Sequence, residues 1–299
     1  MAATFGVMVT LVTTGFGAYG WLLFVGLPFF LGWLAAAVSR PRTFWSAMGI
    51  ATGAVVVCGA GLIFVGAEGG ICLLMALPIA LGPALLGGLA AWLVGRMSGP
   101  SVRAPWVPVL LIFAVASPPL LATEARRTAS APLHQVVTSL EIDAPPERVW
   151  RHIVTFSELP PPSEWIFRAG VAWPVRARIE GTGVGAVRYC EFSTGPFVEP
   201  ITVWNEPHHL AFDVTRSPEP MRELNPFWNV RPPHLEGYLA SERGEFRLVA
   251  LPGGRTRLVG TTWYRHHMYP DVYWQAWSDF VIHRIHGRVL RHIKALAER

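Results

Sequence analysis

The chain has 299 residues, 52% of them hydrophobic and only 15% charged, with a formal net charge of +5. That positive balance is no nucleic-acid footprint: a single lysine, Lys294, serves the whole chain, and no basic cluster is interleaved with aromatics. The three cysteines, Cys58, Cys72 and Cys190, form no disulfide framework.

Those averages mix two unlike halves. Up to Thr123 the Asp, Glu, Lys and Arg side chains are Arg40, Arg42, Glu68, Arg96 and Arg103, while all 10 histidines lie further on. A soluble domain needs more charged surface than this, so residues 1–123 predict a multi-pass α-helical transmembrane domain. Its expected helices are the apolar runs 16–38, 44–65, 71–94 and 107–122. The first three reach the roughly 20 residues that cross hydrocarbon; the fourth is short and holds Pro118 and Pro119. Residues 5–15 are apolar too, and either extend the first helix or form a separate half-pass. Pro28, Pro78 and Pro83 are expected to bend their helices without ending them. Glycines at 59–61 and 82–88 allow close helix packing. No ionisable residue sits in mid-span, which favours an anchor over an ion path.

Arg40 and Arg42 flank one connection, Arg96 and Arg103 another, and Glu68 lies between them. The excess of arginine places both connections in the cytoplasm. A fourth crossing then puts the rest of the chain on the outer, periplasmic side of what reads as a bacterial inner membrane. Arg126 and Arg127, just after the last helix, pull the other way. With no basic residue before Arg40, the first run reads as an anchor helix and not as a cleaved signal peptide.

A linker at 124–133 leads into a domain expected over 134–299. VVTSLEIDA alternates as a strand, and APPERVWRHI is a helix opened by Pro145 and Pro146. After the bend LPPPSEW, short alternating runs at 177–180, 186–192, 201–204, 210–214, 237–241, 245–251 and 256–264 read as strands. PGGR joins the last two as a hairpin. The glycines of GTGVGAVRYCEFSTG are a turn and not a phosphate cradle, because the residues after them alternate as a strand where a dinucleotide fingerprint needs a helix. A long helix runs from near Asp271 to Arg299. On it Trp274, Trp277, Val281, Ile285, Val289, Ile293 and Leu296 recur at spacings of three and four. This apolar stripe, about 40 Å long, must lie on something broad and greasy. The sheet is the available partner. The fold class expected is therefore a transmembrane helical domain followed by an α+β helix-grip domain, a curved antiparallel sheet wrapped around a long C-terminal helix.

EIDAPPERVW, the GxGAxRxCEFSTG stretch, the LPGGRTRLVGTTWY hairpin and the terminal helix together resemble the SRPBCC superfamily, over residues about 136–299. This START-like helix-grip group includes polyketide cyclase/dehydrase and lipid-transfer proteins. The resemblance implies a hydrophobic ligand held between sheet and last helix, and carries over no catalytic residue. No cofactor is expected, and no metal motif is present.

Candidate ligand-facing rings are Trp204, Phe212, Phe246, Trp263, Tyr264, Tyr273, Trp274 and Trp277, unless they simply fill a core. Arg188 and Glu191 lie on opposite faces of one strand, so one points inward. Arg188 there would hold an anionic group; Glu191 there would be a general acid. Asp279, His283 and His286 share one sector of the terminal helix. They suit acid–base work, a metal if His266 and His267 add ligands, or a plain polar border. In the proline-studded insertion 217–237, Met221, Leu224, Phe227 and Trp228 are candidates for a lid or a membrane contact. The expected function is membrane-tethered binding of a hydrophobic small molecule or lipid, as carrier or presenter. The alternatives are a polyketide cyclase/dehydratase-like enzyme with acid–base residues in the same cavity, and a ligand sensor coupled to the helices.

Overall fold

The computed structural model describes residues 2–15, 19–97, 107–128 and 131–299. They pack as two units, one of Met1–Ala131, Glu223–His234 and His267–Trp274, the other of Pro132–Arg222, Leu235–His266 and Gln275–Arg299. The sequence boundary near residue 134 is thus crossed again by two later segments that pack with the helices.

The first unit holds helices α1 (Ala2–Gly15), α2 (Leu27–Ser39), α3 (Phe44–Phe64), α4 (Gly70–Met97) and α5 (Val107–Thr128). A π-helical turn, Leu22–Gly26, leads straight into α2, just ahead of Pro28. Three stretches are long and apolar enough to cross a membrane, Leu22–Ser39, Phe44–Phe64 and Gly70–Met97, each with a mean hydropathy of 2.1. They are apolar all round, and α3 leaves Trp45, Val56, Val57 and Phe64 exposed, as a helix solvated by lipid would. Thr43 and Ser46 cap α3 reciprocally, each side chain accepting the other's backbone N–H. Pro78 and Pro83 lie inside α4 without ending it. Where α2 crosses α4 the backbones nearly touch: a Cβ on Gly32 would fall 2.0 Å from the Ala84 carbonyl oxygen, and one on Gly87 2.0 Å from that of Phe29. This is the close approach that small residues permit between apolar helices.

Two sequence boundaries move. Residues 5–15 belong to a helix of their own, α1, while 16–18 and Arg103 lie outside the described residues. The fourth apolar run is helical, but its apolar part, Leu111–Glu124, is shorter than the other three, and α5 continues to Thr128 through the first part of the expected linker. Buried Glu124 explains the extension. Its carboxylate accepts the Leu22 N–H at 3.0 Å, holding the end of α5 against the start of the π-helical turn.

The second unit is a seven-stranded antiparallel sheet in the order β1-β7-β6-β5-β4-β3-β2. Its strands are β1 (His134–Ile142), β2 (Pro174–Glu180), β3 (Val187–Phe192), β4 (Gly195–Asn205), β5 (His209–Asp213), β6 (Leu239–Leu251) and β7 (Arg255–His266). The two runs expected at 237–241 and 245–251 are one strand, β6, with a register shift between Ser241 and Arg243. Gly181, Gly183 and Gly185 all take positive φ in the turn from β2 to β3, where a side chain would be strained. Helix α6 (Pro146–Val154) turns Val149, Trp150 and Ile153 to the core and leaves Glu147, Arg148 and Arg151 exposed. α7 is a short turn, Trp165–Arg168, and α8 (Asp271–Ala297) closes the chain. Residues 275–297 of α8 bury Ile282, Val289, Leu290, Ile293 and Ala297. The last four join Ile142, Ile153, Ile201, Leu210 and Leu258 in one core. Each such large aliphatic contributes about 1.5–3 kcal/mol by leaving water.

Candidate functional site

Between the sheet and α8 lies a cavity of about 110 Å³. Its apolar wall comes from Phe192, Phe197, Phe212 and Phe246 on the strands and from Ile282 and Val289 on the helix. Two small residues of the sheet, Gly244 and Gly260, are part of its lining. Leu290 closes over Gly260, where an added Cβ would meet its Cδ1 at 3.3 Å.

Into this wall the sheet turns an ion pair. Arg188 on β3 is 1% exposed and Glu199 on β4 is 5% exposed, and Arg188 Nη1 donates to Glu199 Oε2. Arg188 Nε also donates to the Val154 carbonyl oxygen at 3.3 Å. Its guanidinium carbon stands 5.5 Å from the Phe212 ring centre, 5.6 Å from Phe156 and 5.7 Å from Phe246. Burial works against the Arg188 charge, yet Glu199 beside it leaves the guanidinium held above its ordinary value. Burial pushes the Glu199 carboxyl up, against the pull of Arg188. Cys190, on the same face of β3, is pushed up to about 12 by burial and remains a thiol.

The open question on β3 is thereby answered: Arg188 points inward. Glu191 faces outward, taking hydrogen bonds from Arg176 at 2.6 Å and Arg178 at 3.1 Å. The Arg176 bond, ahead of the Arg178 one, keeps its carboxyl below the usual range, so it is ionised and cannot serve as a buried general acid.

Asp279, His283 and His286 separate into two contacts. Asp279 accepts the Tyr264 hydroxyl at 2.6 Å. His283 Nδ1 lies 2.8 Å from Thr138 Oγ1, and the same hydroxyl lies 3.0 Å from His286 Nδ1. His286 Nε2 meets Thr262 Oγ1 at 2.8 Å, so both of its ring nitrogens are engaged. Burial, and after it the neighbouring His283, lowers the His286 imidazole to about 4. It borders the cavity as a neutral ring. A metal held by all three side chains does not fit this division. Of the suggested extra donors, His266 is buried with its ring stacked 5.0 Å from that of His134, and His267 packs with the first unit.

Of the aromatic candidates, Phe212 and Phe246 line the cavity. Trp204 packs edge-on against Trp150 at 5.6 Å. Trp263, on the face opposite Thr262, meets the Arg243 guanidinium at 4.4 Å. Tyr264 is fully buried and Trp277 packs on Phe280 at 6.1 Å. Tyr273 and Trp274 belong to the first unit, where Tyr273 donates to the Met75 carbonyl oxygen and Trp274 lies 4.9 Å from Phe24. In the insertion, Met221 bridges Val171 in the second unit. Leu224, Phe227 and Trp228 are exposed within the first unit, and none of the three lines the cavity. There Leu224 accepts the Gly70 N–H at 2.7 Å, Trp228 Nε1 donates to the Phe64 carbonyl oxygen at 2.8 Å, and Phe227 meets Phe64 at 5.9 Å.

Sequence reasoning missed Glu199. The expected strand began at 201, two residues beyond it, whereas β4 begins at Gly195; over 195–200 it pairs with β3 alone apart from the bridge of Val198 to Arg216, and Pro196 and Pro200 are tolerated on such an edge. Alternation from buried Ile201 back to 199 was the available signal.

Comparison with known proteins agrees with this architecture. Residues 134–266 match the family described as polyketide cyclase / dehydrase and lipid transport. Among solved structures, the Zhui aromatase/cyclase from a Streptomyces species is 15% identical, with a TM-score of 0.35 over 56% of this chain and 95% of its own. A point mutant of Thalictrum flavum norcoclaurine synthase, bound to a transition-state analogue, is 10% identical, with a TM-score of 0.36 over 56% of this chain and 96% of its own. XoxI from Bacillus cereus is 15% identical, with a TM-score of 0.35 over 54% of this chain and 93% of its own. At such identities the likeness concerns fold alone. None of the curated proteins matches the chain. Residues 134–266 thus carry a domain of the SRPBCC superfamily type, matched by the polyketide cyclase / dehydrase and lipid transport family.

Proposed function

We propose that this protein is a membrane-anchored receptacle that binds a hydrophobic small molecule between its sheet and α8, as carrier or presenter. The observation that carries this reading is the aromatic-walled cavity with the buried Arg188–Glu199 pair in its lining. Apolar walls with a few fixed polar groups suit a greasy ligand that carries one anionic or hydrogen-bonding group. The volume of about 110 Å³ is below the roughly 150 Å³ of an apolar cavity that admits benzene. A lipid or polyketide-sized guest exceeds that volume, so it either extends through the cavity mouth or displaces α8 or the Phe212 and Phe246 rings.

The three long apolar helices support the anchor, and their connections support an orientation. The α3–α4 connection, with Glu68 and the segment Glu223–His234 packed on it, lies at the helix ends opposite Arg40, Arg42 and Arg96. By the excess of arginine at those other ends, the segment and the chain leading to it belong to the outer side. Exposed Leu224, Phe227 and Trp228 then sit at the level where aromatic side chains meet lipid headgroups.

The test is mass spectrometry of compounds retained by the full-length protein extracted in mild detergent. A hydrophobic compound should copurify with the wild type, and Val214→Trp, which fills the cavity from its wall, should lose it. No retained compound, or equal retention by the variant, overturns the reading. The enzyme alternative rests on Glu199, a cavity carboxyl whose proton burial helps to retain. It requires that Glu199→Gln keep the ligand and abolish its conversion.

A further inference from the structure

Within the first unit, Glu68, Cys72 and His234 bring a carboxylate, a thiol and an imidazole together, their ligand atoms all within 4.8 Å of one another. Glu68 lies in the α3–α4 connection, Cys72 in the first turn of α4, and His234 at the end of the segment Glu223–His234. Cys72 Sγ is 2.8 Å from His234 Nε2, and His234 Nδ1 is 3.8 Å from Glu68 Oε1. Glu68 is 7% exposed and His234 is 8% exposed. Glu68 Oε2 and His234 Nδ1 are both buried without a hydrogen-bond partner among the described residues. A second carboxylate, Glu223, caps α4 through the Ile71 and Cys72 N–H groups and adds negative charge beside the three.

Buried polar atoms left unpaired cost about 1–3 kcal/mol each, so native proteins seldom keep two in one cluster without something to fill the gap. One cation, held on a single nitrogen of His234, would meet a ligand atom of each of the three side chains, since these atoms already lie within 4.8 Å of one another. We propose that Glu68, Cys72 and His234 form a binding site for a borderline-soft divalent cation of the Zn²⁺ class, separate from the cavity of the second unit. The donor set selects the ion. A thiolate and an imidazole exclude Ca²⁺ and Mg²⁺, which take oxygen ligands, and suit Zn²⁺, which accepts sulfur, nitrogen and carboxylate oxygen together. Tetrahedral Zn²⁺ sets sulfur and nitrogen about 3.6 Å apart and takes one nitrogen of His234, so the three ligand atoms, now within 4.8 Å of one another, must shift by about 1 Å to close on it. Binding replaces the Cys72 thiol proton, which leaves to solvent as the Cys72–metal bond forms. Three protein ligands leave the fourth position to water. The ion would fasten the Glu223–His234 segment to the α3–α4 connection, tying together residues 68 and 234, which are 166 positions apart in the chain (234 − 68).

The test uses the full-length protein in detergent micelles, carrying no histidine tag and stripped with a chelator. Titration with Co²⁺ should bind one equivalent and develop a thiolate-to-cobalt charge-transfer band that Zn²⁺ then abolishes, and Zn²⁺ should raise the thermal midpoint of the stripped protein. Cys72→Ser, nearly isosteric, should lose the band, whereas Cys58→Ser should keep it. Absence of the band from the wild type, or its persistence in Cys72→Ser, overturns the site. The wild-type titration needs no variant to fold, and ligand retention in the second unit is a separate measurement.

Discussion

Arg188 and Glu199 hold each other in a place where neither charge could remain alone. Arg188→Met should therefore destabilise the protein by about 3–5 kcal/mol, because Glu199 is left buried and unpaired. Adding Glu199→Leu should recover most of that loss, since an apolar pair of similar size needs no compensation. Thermal unfolding of the two variants beside the wild type checks both. Glu191→Gln, on the outer face, should change stability by no more than about 0.5 kcal/mol and leave ligand retention intact. His286 gives the molecule a pH dependence. Its folded value of about 4 lies below the roughly 6.5 of an unfolded histidine, so the unfolded chain takes up the proton first as the solution is acidified. This contribution is whole above about pH 6.5 and is lost progressively as the pH falls from there towards 4. In His286→Gln the thermal midpoint should fall less steeply across that window. At this scale the sequence was legible only in part. Arg188, Cys190 and Phe192 alternate with Val187, Tyr189 and Glu191, and each set mixes polar with apolar groups, so alternation alone could not choose the inner face.

The strands were the most legible elements, because period-two alternation survives wherever one face is buried and PGGR and GTGVG mark turns without ambiguity. The terminal helix was legible in extent and partly in rotation. Trp274, Val289 and Ile293 of the expected stripe are buried, but so are Ile282, Leu290 and Ala297 beside it, so the buried face is broader than the stripe. Leu290 lies over Gly260, where the absence of a side chain leaves it room. Among the apolar helices, residue size sets the contact. Gly87→Ala should lower the thermal midpoint of the detergent-solubilised protein sharply, because its Cβ would lie within bond-like distance of the Phe29 backbone. Gly82→Ala, with nothing within 4 Å, should be tolerated, and equal effects of the two would contradict the α2–α4 packing described here.

For the whole chain, the distribution of charge separates an apolar first part from a charged second part. What composition could not reveal is that 223–234 and 267–274 pack with the helices, since neither segment has a period and their partners lie more than a hundred residues away. The Cys72–His234 contact, at a separation of 162 residues, is hidden for the same reason. A compartment-sensitive reporter fused after Arg299 should be active in its extracytoplasmic form; activity in the cytoplasmic form would reverse the orientation proposed for the helical unit. The small volume behind α8 also has a kinetic consequence. If a guest fits only a rarely populated open form, its apparent affinity is diluted by the scarcity of that form. Uptake then saturates: raising the ligand concentration in a stopped-flow experiment speeds capture only until the protein's own opening becomes the bottleneck, and from there the rate is flat.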